Sequence, residues 1–199
     1  MKTAMLMGDS ITGGLTDWGR RGYARLVQDG LASEWVIKTL PENGGDSRQL
    51  RSNLDHWLGD QHVDVIHFNC GLHDIRRSPG TMTVQVPLEE YAANLHHIVS
   101  WLRRRGATLI WARTTPVRDG HRHPSKFFVR FNADVDAYNA VADDIMAAAA
   151  ITINDLHGAV TAAGMEQCLS EDGVHMTPLG THILSVKVIE ALRAVPLTR

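Results

Sequence analysis

Short apolar segments alternate along the chain with longer segments in which apolar residues recur every three or four positions. The short segments predict buried β-strands, and the longer ones predict amphipathic helices. The predicted strands are residues 3–7, 35–40, 63–69, 108–113 and 150–154. The predicted helices are residues 22–31, 47–58, 88–105, 132–149 and 178–192. Ser47 is the expected N-cap of the second helix, and Thr177 followed by Pro178 is expected to start the last one.

Strands and helices that alternate in this way predict right-handed βαβ units around a parallel sheet with helices on both faces. The expected fold class is therefore α/β, a three-layer α/β/α sandwich, with residues 1–199 forming a single domain. In such folds ligands bind beyond the carboxyl ends of the strands. The residues that follow each strand are therefore the candidates for chemistry.

The charge of the chain is nearly balanced, with 20 Lys and Arg residues against 22 Asp and Glu residues and a formal net charge of −2. This balance argues against nucleic acid or an anionic membrane as a partner. No apolar segment is long enough to span a membrane, and residues 4–8 are too few for the apolar core of a signal peptide. Cys70 and Cys168 lack a disulfide framework and C-x-x-C spacing, so we expect both to be reduced in a cytoplasmic protein.

The first two predicted strands lead into glycine-rich turns. Gly8-Asp9-Ser10 places a serine at the sheet edge. This tripeptide alone is weak, because it also arises by chance and, taken singly, is better explained by a loop serine or a helix N-cap. Gly44-Gly45-Asp46 follows the second strand, and its backbone N–H groups could face a developing oxyanion or simply form a turn. The glycine patterns of phosphate-binding loops are not found there.

Two further polar motifs are Gly71-Leu72-His73-Asp74 after the third strand and Asp172-Gly173-Val174-His175 before the last helix. Taken singly, His73 is more typical of a structural histidine, and Asp-x-x-His is common by chance. A carboxylate three residues before an imidazole can nevertheless orient the ring through one nitrogen while the other takes a proton from a serine. The combination of Ser10, Asp172 and His175 therefore predicts nucleophilic catalysis.

Together these four motifs resemble those of the SGNH, or GDSL, hydrolase family over nearly the whole chain. The resemblance implies a flavodoxin-like five-stranded parallel sheet of order 2-1-3-4-5 and hydrolysis of esters or thioesters without any cofactor. It also implies that Ser10 is the nucleophile, His175 the general base and then acid, and Asp172 the group that orients His175. The backbone N–H groups of Ser10 and Gly45 would donate to the oxyanion.

The third motif departs from the family pattern. The family normally has Gly-x-Asn-Asp there, with the asparagine as third oxyanion donor, whereas this chain has His73. A neutral imidazole can still donate one N–H, so His73 is expected to take this role with altered geometry and pH dependence. Asn69 lies four residues earlier and is a less suitable substitute.

Substrate recognition is expected in loops at the same edge of the sheet. Residues 117–130 carry a local charge of +3 from Arg118, Arg122, Lys126 and Arg130 against Asp119, and are either a solvated loop or a flap for a polar or anionic ester. The expected substrate-binding residues are Asp9, Phe127, Phe128 and Arg118. Residues 12–21, with Trp18, Arg20 and Arg21, are a second candidate wall. His121-x-His123 has no third ligand at a recognisable spacing, so no metal site is expected.

The leading hypothesis is a serine esterase that hydrolyses a short-acyl ester, with an acetyl ester of a small polar molecule or carbohydrate as the first candidate. An acyltransferase with the same acyl-enzyme is one alternative. A catalytically weak binding protein on the same fold is another, although it would have no need of Ser10, Asp172 and His175 together. The expected partner is a small-molecule ester, and the oligomeric state is open.

Overall fold

The computed structural model describes residues 1–13, 22–124 and 126–196. Its strands are β1 (Lys2–Met7), β2 (Trp35–Thr39), β3 (Val65–Phe68), β4 (Thr108–Ala112) and β5 (Thr152–Asn154). Its helices are α1 (Ala24–Gly30), α2 (Ser47–Leu58), α3 (Leu88–Arg103), α4 (Asn132–Ala148), α5 (Leu156–Ala163), α6 (Met165–Cys168) and α7 (Pro178–Arg193).

The five strands form one parallel sheet in the order β2-β1-β3-β4-β5. Helices α2, α3 and α4 pack side by side, while α1 and α5 pack against α7. This is the predicted three-layer α/β/α sandwich in the flavodoxin-like strand order. Every residue of the central strand β3 is buried, as expected for a strand covered on both faces. The carboxyl ends of β1 and β3 are thereby placed next to each other.

Two short helices and one cap differ from the sequence prediction. Helices α5 and α6 were not predicted, because Gly158 and Gly164 interrupt the apolar period of this short stretch. The start of α5 could have been predicted from Asp155, a residue type that commonly caps helices. Its side chain accepts the Gly158 N–H at 2.8 Å and caps α5. Helix α2 is capped by Asp46 in a capping box with Gln49, so the assignment of Ser47 as the N-cap was wrong by one residue. Thr177 and Pro178 do start the last helix.

Residues 117–130 are held at both ends. The Arg118 N–H donates to the Gly173 carbonyl at 2.8 Å, and the Arg77 and Val129 backbones exchange two hydrogen bonds of 2.9 and 3.0 Å. Gly173 has a positive φ of 73°, and a Cβ there would lie 3.0 Å from Arg118 Cβ and from His121 Cδ2. The segment after β4 is therefore clamped onto the loop that precedes α7, and the contact requires a glycine.

A buried histidine lies in the middle of the sheet. His67 of β3 is fully buried, its Nε2 accepts from Asn154 Nδ2 at 3.1 Å, and its ring meets Tyr23 edge-on at 6.3 Å. Its Nδ1 has no hydrogen-bond partner among the described residues. Burial lowers the pKa of His67 to about 4, so the folded protein keeps this ring neutral.

We predict that His67 makes stability fall in acid. Below its ordinary pKa of 6.5 the unfolded chain protonates this ring, while the folded protein does so only near pH 4. The free energy of unfolding should therefore drop by up to about 1.4 kcal/mol per pH unit between these values, relative to His67→Phe. Urea unfolding at about pH 7.5 and about pH 5 measures this difference, with exposed His96→Phe as the control that keeps the wild-type dependence. Parallel pH curves for the wild type and His67→Phe would contradict it.

We also predict that Gly173→Ala destabilises the protein. The change places a side chain at positive φ and against the clamped segment, which costs on the order of 1–3 kcal/mol. Gly80→Ala is the matched control, since a Cβ at Gly80 would meet nothing within 4 Å. Equal thermal unfolding midpoints for the two variants would show that the clamp contributes nothing to stability.

Candidate active site

Ser10 lies in a tight turn directly after β1. The Asp9 carbonyl accepts the N–H groups of Thr12 and Gly13 at 3.1 and 3.2 Å, and Asp9 Oδ1 accepts the Ile11 N–H at 2.9 Å. Gly8 has no room for a side chain, because a Cβ would lie 2.2 Å from Thr12 Oγ1. The turn leaves Ser10 partly exposed beyond the end of the strand.

A chain of hydrogen bonds joins Ser10 to the loop before α7. Ser10 Oγ lies 2.8 Å from His175 Nε2, and His175 Nδ1 hydrogen-bonds Asp172 Oδ2. Since Asp172 is an acceptor, His175 carries a proton on Nδ1 and presents the Nε2 lone pair to the Ser10 hydroxyl. Residues 165 positions apart in the sequence thus form the serine, imidazole and carboxylate arrangement that the motifs predicted.

The carboxylate is held by its own loop. Asp172 Oδ1 accepts the N–H groups of Val174 and His175 at 3.0 and 2.9 Å and the Ser170 hydroxyl at 3.0 Å. Burial alone would raise the pKa of Asp172, but the hydrogen bonds from the His175 ring and from these backbone groups outweigh it and hold the pKa well below its ordinary range. Asp172 is therefore an anion that fixes the His175 ring.

The second motif approaches Ser10 through its backbone. The Gly44 N–H donates to the Gly8 carbonyl at 3.0 Å, which ties the two turns together. Gly45 has a φ of 67°, and its N–H donates to Asn43 Oδ1 at 2.9 Å. The Ser10 N–H has no acceptor among the described residues. Of the two backbone donors expected for an oxyanion, one is therefore open and the other bonds a side-chain amide.

The third motif is anchored to helix α2 by Asp74. Both carboxylate oxygens of this buried residue accept the Ser47 N–H, at 3.0 and 3.1 Å, and Asn94 Nδ2 donates to Ser47 Oγ at 3.0 Å. Burial raises the pKa of Asp74 to about 7. No motif predicted a role for Asp74, which joins the end of β3 to the start of α2.

His73 is mostly buried beside two arginines. Its Nε2 lies 3.1 Å from Arg76 Nη2, and Arg130 Nε donates to the Leu72 carbonyl just before it. Burial, followed by the charges of Arg76 and Arg130, lowers the pKa of His73 to about 2. The ring is therefore neutral. Asn69, the other amide near this position, donates instead to the Ala112 carbonyl at 2.7 Å.

Phe128 lies among these cations. The guanidinium carbons of Arg76 and Arg130 are 4.5 and 4.7 Å from its ring centroid, and Lys126 Nζ is 5.9 Å from it. Lys126 Nζ also lies 3.9 Å from Asp172 Oδ2. Sequence reasoning counted Lys126 and Arg130 in the positive segment but missed Arg76, which no motif marks.

The other three expected substrate-binding residues differ in their exposure and in their partners. Phe127 is 88% exposed, whereas Asp9 is buried and its Oδ2 has no hydrogen-bond partner among the described residues. Burial raises the pKa of Asp9. Arg118 forms an ion pair of 2.8 Å with Glu166. Residues 14–21, which include Trp18, Arg20 and Arg21, lie outside the described part of the chain.

A cavity opens beside the Ser10 turn. It has a volume of about 410 Å³ and lies between the ends of β1 and β2, where Asp9, Thr12, Thr39 and Asn43 line it. Its lining mixes polar and apolar groups, and its volume suits a small ligand.

The described residues form neither a metal-ion cluster nor a membrane-spanning helix. Over residues 1–13, 22–124 and 126–196, no three His, Cys, Asp or Glu side chains are grouped so that they could hold a metal ion. None of the helices in these ranges has the length and apolar character needed to cross a membrane. Cys70 and Cys168 are both buried and unpaired.

Solved structures of esterases share this fold. An acetyl xylan esterase, AlAXEase, superposes with a TM-score of 0.77 at 16% identity, covering 96% of this chain and 99% of that one. A lipase/acylhydrolase from Enterococcus faecalis gives a TM-score of 0.77 at 23% identity over 100% of both chains. Axe2, an acetylxylan esterase from Geobacillus stearothermophilus, gives 0.75 at 20% identity, covering 100% of this chain and 96% of that one.

Sequence comparison gives the family. Among curated proteins no sequence matches this chain. The profile of the GDSL-like Lipase/Acylhydrolase family, however, matches residues 6–183, which include all four motifs. The chain therefore belongs to the GDSL-like lipase/acylhydrolase family.

Proposed function

We propose that this protein is a serine esterase that hydrolyses short-acyl esters, acetyl esters first, of a small polar molecule or carbohydrate through an acyl-enzyme on Ser10. The observation that carries the proposal is the 2.8 Å contact between Ser10 Oγ and His175 Nε2, continued from His175 Nδ1 to Asp172. This geometry makes the hydroxyl a nucleophile, because the imidazole accepts its proton as attack proceeds.

The reaction has two halves. Ser10 Oγ attacks the ester carbonyl while His175 Nε2 takes its proton, and the tetrahedral intermediate collapses when His175 returns that proton to the leaving alcohol. Water then attacks the acyl-enzyme with His175 again as base, and the acid leaves as Ser10 is reprotonated. Asp172 stays ionised throughout and stabilises the imidazolium that forms twice per turnover.

Three donors are proposed for the oxyanion. The first is the Ser10 N–H, which has no acceptor among the described residues. The second is the Gly45 N–H, which would leave Asn43 Oδ1 and donate to the oxyanion. The third is Nδ1–H of His73, which replaces the asparagine amide of the family pattern. Its low pKa keeps it from titrating at neutral pH. Each such donor contributes on the order of 100- to 1000-fold to turnover.

The preference for a small polar ester is supported by the charged character of the site. The cations around Phe128 suit a polar alcohol better than a lipid chain. Two of the solved structures named above, AlAXEase and Axe2, are acetyl xylan esterases that share this fold.

We expect Ser10→Ala to abolish hydrolysis of p-nitrophenyl acetate, because no other group in the proposed reaction forms the acyl-enzyme. A serine-directed phosphonate should label wild-type protein at Ser10, as mass spectrometry of the peptide would show, and should not label the variant. Ser52→Ala, on the exposed face of α2, is the matched control and should keep wild-type turnover. Undiminished hydrolysis by Ser10→Ala would refute the proposed mechanism.

We expect kcat/KM to fall as the acyl chain lengthens with the p-nitrophenyl group held constant. Acetate should exceed octanoate by at least about tenfold, because the charged side chains around Phe128 disfavour a long apolar chain, and mismatches of about 1–3 kcal/mol change kcat/KM about 10- to 200-fold. Acetate release from acetylated xylooligosaccharides, followed by chromatography, tests the alcohol side. A preference for octanoate would overturn the short-acyl assignment, and transfer of acetyl to an added sugar in place of water would favour an acyltransferase.

A further inference from the structure

The histidine in the third motif raises a chemical problem that an asparagine does not. An amide nitrogen always donates, whereas a neutral imidazole carries its one proton on either Nδ1 or Nε2. His73 can serve as an oxyanion donor only if that proton is on the nitrogen that faces the substrate. Some other group must therefore choose the tautomer.

We propose that Arg76 is a positioning residue that makes this choice: its Nη2 donates to Nε2 of His73, so the imidazole proton stays on Nδ1 and points to the oxyanion. This inference rests on the proposed esterase function. Arg76 touches His73 rather than the substrate, so its effect on the reaction passes through the ring.

The contact itself excludes the other tautomer. A guanidinium has only donors and does not lose its proton in proteins. With Nη2 at 3.1 Å from Nε2, a proton on Nε2 would set two N–H groups against each other. The hydrogen bond therefore exists only when Nε2 accepts. Nδ1 makes no hydrogen bond among the described residues, so its N–H remains available for a ligand.

The doubly protonated ring is excluded by its surroundings. His73 is mostly buried, and the positive charges of Arg76, Arg130 and Lys126 all act on it. At neutral pH the ring is therefore a single donor of fixed direction.

The position of Arg76 beside His73 leaves one of its own donors unsatisfied. Its guanidinium lies 4.5 Å from the centroid of the Phe128 ring, and its backbone N–H donates to the His73 carbonyl at 3.3 Å. Its Nε is buried without a hydrogen-bond partner among the described residues. A buried N–H without a partner is unfavourable, so stability alone would favour an apolar side chain at this position.

The test uses a coupling that only the tautomer mechanism produces. Arg76→Met keeps a stem of similar length beside Phe128 and removes the donors. We expect kcat for p-nitrophenyl acetate to fall about 10- to 100-fold with KM changed by less than about threefold, because the oxyanion forms only in the transition state. In the His73→Asn background the same change should cost less than about threefold, since an amide needs no tautomer partner.

Arg104→Met, at the exposed end of α3, is the matched control for loss of one positive charge and should keep wild-type kcat. Equal losses from Arg76→Met in the wild-type and His73→Asn backgrounds would overturn the proposal, because they would show a structural or charge effect that does not pass through His73.

A spectroscopic measurement tests the tautomer without any substrate. Histidine-selective 15N NMR of the wild type should show His73 with a protonated Nδ1 and an unprotonated Nε2, assigned by the signals that disappear in His73→Asn. A protonated Nε2 in the wild type overturns the proposal even if Arg76→Met does not fold. Failure of the esterase function is separate, since it would appear as wild-type protein that hydrolyses no ester while this spectrum is unchanged.

Discussion

A buried carboxylate with all its acceptor positions engaged organises the candidate site. Asp172 receives the Ser170 hydroxyl, the N–H groups of Val174 and His175, and the His175 ring. These contacts shape the loop before α7 and set the ring's direction at the same time. Without the anion, the loop would lose the acceptor that its N–H groups share, and the His175 ring would lose the contact that keeps its proton on Nδ1. In the proposed reaction, His175 would then be a poorer base for Ser10.

The rest of the site is held by hydrogen bonds to backbone groups near the strand ends. The Gly44 N–H donates to the Gly8 carbonyl in the first turn. The first N–H of helix α2 donates to the Asp74 carboxylate, and the Arg130 guanidinium donates to the Leu72 carbonyl. Each connection joins segments far apart in sequence. The parallel sheet brings these ends to one edge, and the hydrogen bonds then fix their spacing. A site of this kind is precise because its members lie in short turns and loops that hydrogen bonds fix to packed strands and helices.

Much of this arrangement could be predicted from the sequence. Periodicity located all five strands and helices α1 to α4 and α7 of the described residues, since a buried parallel sheet leaves a strong apolar pattern. Motif order indicated Ser10, Asp172 and His175. Helices α5 and α6 escaped because their few apolar residues are broken by Gly158 and Gly164.

The contacts that specify the donors could not be predicted. The pairing of Arg76 with His73, and of Gly45 with Asn43, depends on side-chain direction in loops. Loop side chains leave no periodic signal in the sequence, so composition could show a positive segment but not which cation meets which ring.

In the free protein, the Gly45 N–H donates to the side-chain oxygen of Asn43. In the proposed reaction, this amide oxygen occupies the donor before the oxyanion forms. A neutral ester carbonyl is no better an acceptor than the amide oxygen it would displace, so binding of the intact ester gains little from this donor. A negatively charged oxygen is a much stronger acceptor and wins the exchange. In the proposed reaction, Asn43 therefore keeps the Gly45 N–H occupied until the bond between Ser10 Oγ and the ester carbon begins to form. This hydrogen bond then stabilises the transition state and not the bound ester, so it raises kcat and leaves substrate affinity unchanged.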